Sequence, residues 1–259
     1  VPVHLRWRTF LGRGALGAAL LGLAGVLTAC GGPGAPSAPS SNQGIVQNRA
    51  IPVEDVPLIN EHGQRTSLAA DRGRYVVLAP FLTLCQDECP LVTGEFFALT
   101  QDLRAAGLAQ QVVLLDVTVD PGRDTPYRLS QYARIFGASW QLDTGTPANL
   151  ARFWRFFGVS YQVIPEEQPP HKDWLTGQPL TYDVDHTDGF ILIDKAGHER
   201  FLDANEPDLQ GKLSPKLQSL LNSGGLKEFA HPSQESWTLD DLLSDVGWLM
   251  GRSIPSSGA

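Results

Sequence analysis

Tyr75-Val76-Val77-Leu78-Ala79-Pro80-Phe81-Leu82-Thr83-Leu84-Cys85-Gln86-Asp87-Glu88-Cys89-Pro90-Leu91 is the stretch on which the reading of this chain turns. Residues 75–82 are almost wholly apolar, the composition of a buried strand. Pro90 suits the first turn of a helix that continues with Phe96, Phe97, Leu99 and Leu103. Cys85 and Cys89 therefore sit where a strand becomes a helix, with Cys89 at or just before the helix N-terminus. Free backbone N–H groups and the positive end of the helix dipole favour a thiolate there, the form of cysteine that attacks disulfides and binds metals. Two cysteines at this spacing are close enough to form a disulfide or to place two sulfurs on one metal ion. The plainer alternative is a static bridge, but so short a loop removes little chain entropy and stabilises a fold only weakly.

Outward from this turn, strands and helices alternate. Residues 112–119 form a second continuous apolar run, as expected for a strand buried on both faces. A turn at Asp120-Pro121-Gly122-Arg123-Asp124 follows, then a helix capped by Thr125, with Pro126 in its first turn, an apolar stripe of Leu129, Tyr132, Ala133 and Phe136, and a stop at Gly137. A further helix from Pro147 carries Leu150, Phe153, Trp154 and Phe157 at helical spacing and stops at Gly158. Residues 189–194 read as a strand, Lys195-Ala196-Gly197 as a tight turn, and residues 198–202 as its hairpin partner. Thr238 and Asp241 form a capping box that opens a last helix with Leu242, Leu243, Val246 and Leu249 on one face. This order predicts an α/β fold with a central mixed sheet flanked by helices. A strand running into a two-cysteine turn and a helix makes that sheet resemble thioredoxin's. Residues 159–182, rich in Pro and Gln, are too long for a simple connection and read as an insertion near the site.

The N-terminal region has a different character. Arg6, Arg8 and Arg13 precede a short apolar stretch rich in Gly and Ala, which ends in Leu27-Thr28-Ala29-Cys30. This looks like a bacterial lipoprotein signal, with residues 1–29 removed and Cys30 lipidated; an uncleaved signal anchor is the alternative. Either form places the domain on the extracytoplasmic side of a cell membrane, and two or more acyl chains on Cys30 would hold it there firmly. Residues 30–50, rich in Gly, Pro, Ser, Asn and Gln, read as a flexible tether, residues 51–225 as the thioredoxin-like domain, and residues 226–259 as a C-terminal extension with one helix.

The chain has 20 Lys and Arg against 28 Asp and Glu. Loss of residues 1–29 would remove three arginines and no acid, so the balance becomes still more acidic. Such a surface has no electrostatic footprint for nucleic acid. With a single methionine, Met250, copper carriage by thioether sulfur is excluded.

A thioredoxin-like redox enzyme offers Cys-x-x-Cys and, in the loop opposite it, a cis-proline. Here the cysteines are one residue further apart, and the corresponding loop, Tyr182-Asp183-Val184-Asp185-His186-Thr187-Asp188, has a histidine and no proline. If that loop lies over the cysteine turn, His186 brings an imidazole to two sulfurs. This donor set suits copper above all, whereas zinc prefers a fourth ligand. A lone histidine is also commonly an ordinary polar residue.

Cys85-x-x-x-Cys89-Pro90, the run from Thr118 through Asp120-Pro121-Gly122-Arg123-Asp124 to Pro126, Gly145-Thr146-Pro147 and Asp183-Val184-Asp185-His186-Thr187 together resemble the SCO/SenC family. The resemblance implies a thioredoxin-like fold, Cys85, Cys89 and His186 as copper ligands, and a metallochaperone, not an enzyme, that helps mature the binuclear copper centre of cytochrome c oxidase. The implied partners are the copper-bearing oxidase subunit and a thiol reductant. A thiol-disulfide oxidoreductase acting through Cys85 and Cys89 on the cysteines of that subunit is the alternative; a thiol peroxidase is weaker, since no arginine is tied to the cysteines by sequence. One departure is Gln86, where the family commonly has proline.

The other histidines read as ordinary polar residues. His62 falls in a hairpin turn, His171 in the insertion, His198 on a short strand and His231 before Pro232. Asp87 and Glu88 are candidates to raise the thiol pKa or to admit a cation, and Asp185 to orient the imidazole.

Overall fold

The computed structural model describes residues 34–40 and 44–257, so Cys30 and the signal expected at 1–29 lie outside the described residues. The strands in chain order are β1 (Ile45–Ala50), β2 (Leu58–Asn60), β3 (Arg65–Thr66), β4 (Tyr75–Phe81), β5 (Val112–Thr118), β6 (Gln141–Thr144), β7 (Tyr161–Ile164), β8 (Asp183–His186), β9 (Phe190–Ile193) and β10 (His198–Asp203). The helices are α1 (Glu88–Ala105) after β4, α2 (Pro126–Phe136) after β5, α3 (Pro147–Phe157) after β6, and α4 (Pro215–Gln218), α5 (Ser223–Ala230) and α6 (Leu239–Met250) at the end.

The main sheet has the order β1-β10-β9-β4-β5-β6-β2-β3. β4 and β5 pair in parallel from Tyr75↔Val112 to Phe81↔Thr118, and β6 continues parallel to β5. On the other side of β4, β9 and then β10 run antiparallel. A parallel pair entering the cysteine turn, followed by an antiparallel hairpin on the far side, is the thioredoxin-like arrangement. The two central strands are buried along nearly their whole length, and Leu78, Leu115 and Leu192 are sealed from solvent, as expected of strands covered on both faces.

The caps occur where the sequence puts them. Thr125 accepts a hydrogen bond from the Arg128 N–H at the start of α2, and Thr146, not among the expected caps, accepts one from the Asn149 N–H at α3. Thr238 and Asp241 exchange hydrogen bonds in a full capping box at α6. Along α1, Phe96, Leu99 and Leu103 enter the core, but Phe97 remains 47% exposed. It lies on the outer flank of the helix, so the apolar stripe is narrower than the composition implies.

Three segments depart from expectation. The tether predicted to reach residue 50 ends sooner, because Ile45–Ala50 is β1, paired antiparallel with β10 at the sheet edge. The insertion is partly structured: β7 pairs with β8, so the histidine-bearing segment read as a loop is a short strand, with His186 opposite Tyr161. The C-terminal region holds α4 and α5 as well as α6, and the division drawn at 225 falls inside α5. Gly189, between β8 and β9, has φ +89°, and a Cβ there would lie 1.9 Å from the Asp203 carbonyl oxygen. Only glycine fits this link between the histidine strand and the core hairpin. Among the described residues no helix is long and apolar enough to cross a membrane.

Candidate metal centre

Three neighbouring elements hold the turn between β4 and α1. From the turn after β5, the Asp124 carboxylate accepts the Thr83 backbone N–H at 3.1 Å, the Thr83 hydroxyl, and the Thr118 hydroxyl at 2.6 Å. From the insertion, the Trp174 indole N–H donates to the Thr83 carbonyl at 2.6 Å, and Glu166 accepts the Gln86 side-chain amide at 3.3 Å. From the C-terminal region, the Asn222 N–H donates to the Gln86 carbonyl at 2.8 Å. Gly225 lies so close that an added Cβ would come within 2.8 Å of that same oxygen.

The sulfurs sit inside this frame. Cys85 and Cys89 are both buried and unbridged, and the Cys89 N–H, in the first turn of α1, points at Cys85 Sγ from 3.4 Å. His186, at the end of β8, brings Nε2 to 3.4 Å from Cys89 Sγ, with its side chain only 3% exposed. Its other nitrogen, Nδ1, lies 3.0 Å from the Thr187 carbonyl oxygen and 3.5 Å from an Asp188 carboxylate oxygen. A carbonyl beside Nδ1 favours a proton on that nitrogen, so Nε2, which faces the sulfurs, is the nitrogen that would bind a metal once it gives up its own proton. The donor atoms of Cys85, Cys89 and His186 all lie within 4.8 Å of one another. Two sulfurs and one imidazole nitrogen form a soft, compact donor set that fits a thiophilic ion.

β8 is itself anchored. The Arg123 guanidinium donates to the Tyr182 carbonyl at 2.7 Å, pairs with Asp120 and stacks on the Tyr182 ring at 3.8 Å, and the Tyr182 hydroxyl donates to Asp120 at 3.1 Å. The turn after β5 therefore grips both sides of the site: Asp124 holds the cysteine turn and Arg123 the histidine strand.

The electrostatics are uneven. The hydrogen bond from Cys89, aided by His186, holds the Cys85 thiol well below its usual range, while burial pushes Cys89 up. Burial alone would lower His186, but contact with the Cys85 sulfur outweighs it and raises the imidazole to about 9. Burial, with Glu228 close by, lifts Asp87 to about 7 and also lifts Glu88; Asp188, pushed up by burial against the pull of His186, reaches about 7. These shifts favour negative charge on Cys85 and positive charge on His186 in the metal-free site, with carboxyl groups close by.

Of the residues singled out from sequence, Cys85, Cys89 and His186 come together. Asp185 does not orient the imidazole: it accepts a hydrogen bond from Gln162 at 2.9 Å, and the Thr187 carbonyl and Asp188 stand at Nδ1 instead. His171 stays out of the centre, 3.9 Å from Glu167, and His62 lies beside Glu61. Asp87 and Glu88 gather with Glu228 of α5 in a second group, their oxygens within 4.8 Å of one another. Sequence reasoning missed Asp124, Trp174, Asp188 and Glu228. Asp124, in the turn before Thr125, and Asp188, two positions after the histidine, carried a local signal; Trp174 and Glu228 carried none.

The family model of SCO1/SenC matches residues 47–220. The chain belongs to the SCO1/SenC family. A candidate copper-binding protein of Stutzerimonas stutzeri is 32% identical over 96 residues, which cover 37% of this chain and 46% of that relative. The match thus spans about half the length of that curated protein. Among solved structures, ScoI of Arabidopsis thaliana with copper bound is 24% identical (TM-score 0.47, covering 61% of this chain and 86% of that one). ScoI of Bradyrhizobium japonicum with copper bound is 22% identical (TM-score 0.45, 68% and 96%). The apo Sco1 protein of Thermus thermophilus is 22% identical (TM-score 0.48, 64% and 86%). In this SCO1/SenC chain, the side chain of Gln86, the residue after the first cysteine, is buried and tied to Glu166 of the insertion.

Proposed function

We propose that this SCO1/SenC protein is a copper metallochaperone, anchored on the extracytoplasmic side of a cell membrane through lipid on Cys30, that takes part in building the binuclear copper centre of cytochrome c oxidase. The observation that carries the reading is the convergence of Cys85, Cys89 and His186 Nε2 within 4.8 Å. Copper is the cargo. The two sulfurs and the nitrogen would hold it, the Thr187 carbonyl keeps the ring turned toward the sulfurs, and a three-ligand site leaves a position for an incoming donor of the recipient. The copper-bound ScoI relatives support the choice of metal, and the description of a Sco relative as one of the cytochrome c oxidase assembly proteins supports the choice of recipient.

Loading requires the dithiol. Joining the two sulfurs releases two protons and two electrons and removes two of the three ligands, so a disulfide form must receive two electrons and two protons from a thiol reductant before it takes copper. The lowered Cys85 thiol also supports a second reading, a thiol-disulfide oxidoreductase whose Cys85 attacks a disulfide of the oxidase subunit and whose Cys89 then resolves the mixed disulfide. The two readings part at His186, which only the first needs as a ligand.

The test is a copper titration of the reduced full chain, followed by sulfur-to-copper charge-transfer absorption. One equivalent taken up, and lost after oxidation of the thiols, is the expected result; no uptake, with rapid dithiol exchange, would replace the chaperone with the oxidoreductase. Labelling of cells with a radioactive fatty acid tests the anchor: label on the wild type and none on Cys30→Ser is expected, and equal label on both would remove it.

A further inference from the structure

A cavity of about 480 Å³ lies between α1 and the C-terminal region, away from the cysteine turn. Phe97, Phe136, Leu213 and Leu217 supply apolar wall. Gly94 makes the closure possible, because a Cβ there would lie 2.7 Å from Leu209 and 2.9 Å from Leu213. Glu95 also lines this space. It is only 5% exposed, and no hydrogen bond or ion pair to it is found among the described residues. A carboxyl group so enclosed, with no hydrogen-bond partner among the described residues and with only the charge of Lys212 favouring its ionised form against Asp208 and Asp240, is complemented by a cation or a strong donor in the cavity.

The surrounding charges decide between those. Asp208 and Asp240 share the lining with Glu95, against Lys212 alone, so the cavity is acidic. The N-terminus of α6 does not make it an anion site, because the Thr238–Asp241 capping box already closes that helix end. Phe97, exposed on the outer flank of α1, lines the same cavity, and the face of an aromatic ring attracts cations. A volume of this size is within the range of small-molecule pockets.

We propose that this cavity binds a small organic cation, an ammonium group on a short apolar body, with its nitrogen against Glu95 and its body against Phe97 and Phe136. The site is independent of the copper reading. The probe is 2-phenylethylamine, titrated calorimetrically into the full chain at about pH 8.5. There the amine, like a lysine side chain, is still protonated. Glu95, which burial and Asp208 push up to about 8 against Lys212, is mostly ionised. The neutral analogue 2-phenylethanol is the control and needs no variant: the amine should bind at least about tenfold more tightly. Glu95→Gln should weaken the amine by about tenfold and leave the alcohol unchanged. Ala98→Phe, which fills the cavity, should abolish both, with the unfolding midpoint of each variant checked alongside. Absence of amine binding, equal binding of amine and alcohol, or equal amine binding by wild type and Glu95→Gln would each overturn the proposal.

Discussion

One turn sends its side chains to two places. Cys85 and Cys89 face His186 on β8, whereas Asp87 and Glu88, between them in sequence, gather with Glu228 on α5. Both groups put three donor side chains within 4.8 Å, yet they are built differently. In the sulfur group the supports run through backbone groups: the Thr83 N–H and carbonyl, just before the cysteines, are held by Asp124 and Trp174, Cys85 Sγ receives the Cys89 N–H, and the imidazole stands against the Thr187 carbonyl. In the carboxyl group one buried oxygen of Asp87 and one of Glu228 have no hydrogen-bond partner among the described residues, Glu228 opposes the ionisation of Asp87, and Glu88 shares a hydrogen bond with Glu228. Ligand class and support, not the number of nearby donors, distinguish the two.

The largest expected effect tests that distinction directly. Cys85→Ser or Cys89→Ser should lower copper affinity by about a thousandfold or more, an amount near 4 kcal/mol, in a competition titration with a copper chelator. Glu228→Gln in the same titration should change it by less than about threefold. If Glu228→Gln cost as much as a cysteine, the carboxyl group would be part of the site and the contrast would collapse.

His186→Ala should cost more than the roughly 10–100-fold typical of losing an outer partner of a ligand. Its rate of thiol-disulfide exchange, followed with a small aromatic disulfide, should stay near that of wild type. Unchanged copper affinity in this variant would remove the reason for preferring a chaperone.

Asp124→Ala tests the support rather than the donors. It strands the Thr83 N–H and two buried hydroxyl groups, and should destabilise the fold by about 2–4 kcal/mol in denaturant unfolding. A loss under about 0.5 kcal/mol, the size of an ordinary surface change, would show that the turn does not depend on this carboxylate.

The smallest effect is a pH dependence on the carboxyl side. The folded pKa of Asp87 is raised from 3.8 to about 7, so the folded state holds the proton more tightly than the unfolded chain does. The contribution of this group is therefore fully present below about pH 4 and is lost as pH rises through 7. Because Asp87 is partly open to solvent, the loss should be about 1–2 kcal/mol. Glu228→Gln removes a neighbouring charge and should shrink that loss, measured as unfolding free energy of the metal-free protein between about pH 4 and 8. An identical pH profile would show that the two carboxyl groups do not interact.

What the sequence disclosed was local. The apolar run of β4, the Thr125 cap, the Thr238–Asp241 capping box and the glycines ending α2 and α3 all lie within a few residues of what they control, so pattern and capping chemistry find them. His186 was found because its segment follows the insertion and leads into the β9–β10 hairpin, opposite the cysteine turn. Its immediate partner was misjudged for a reason of strand geometry: neighbouring side chains on a strand point to opposite faces, so Asp185 turns away toward Gln162. Pairings over long separations left no local trace. β1 was hidden in a polar, proline-rich region, and β7 is a strand only because β8 lies beside it. Glu228, far along the chain from Asp87, carried no signal at all.

The contact between Gly225 and the Gln86 carbonyl has a practical consequence for where this protein can be cut. The match to the family ends at residue 220, yet Asn222 and Gly225, just past that border, form a wall of the thiol turn. A chain trimmed at the border would leave the Gln86 carbonyl without its Asn222 partner and open one flank of the cysteine turn to water.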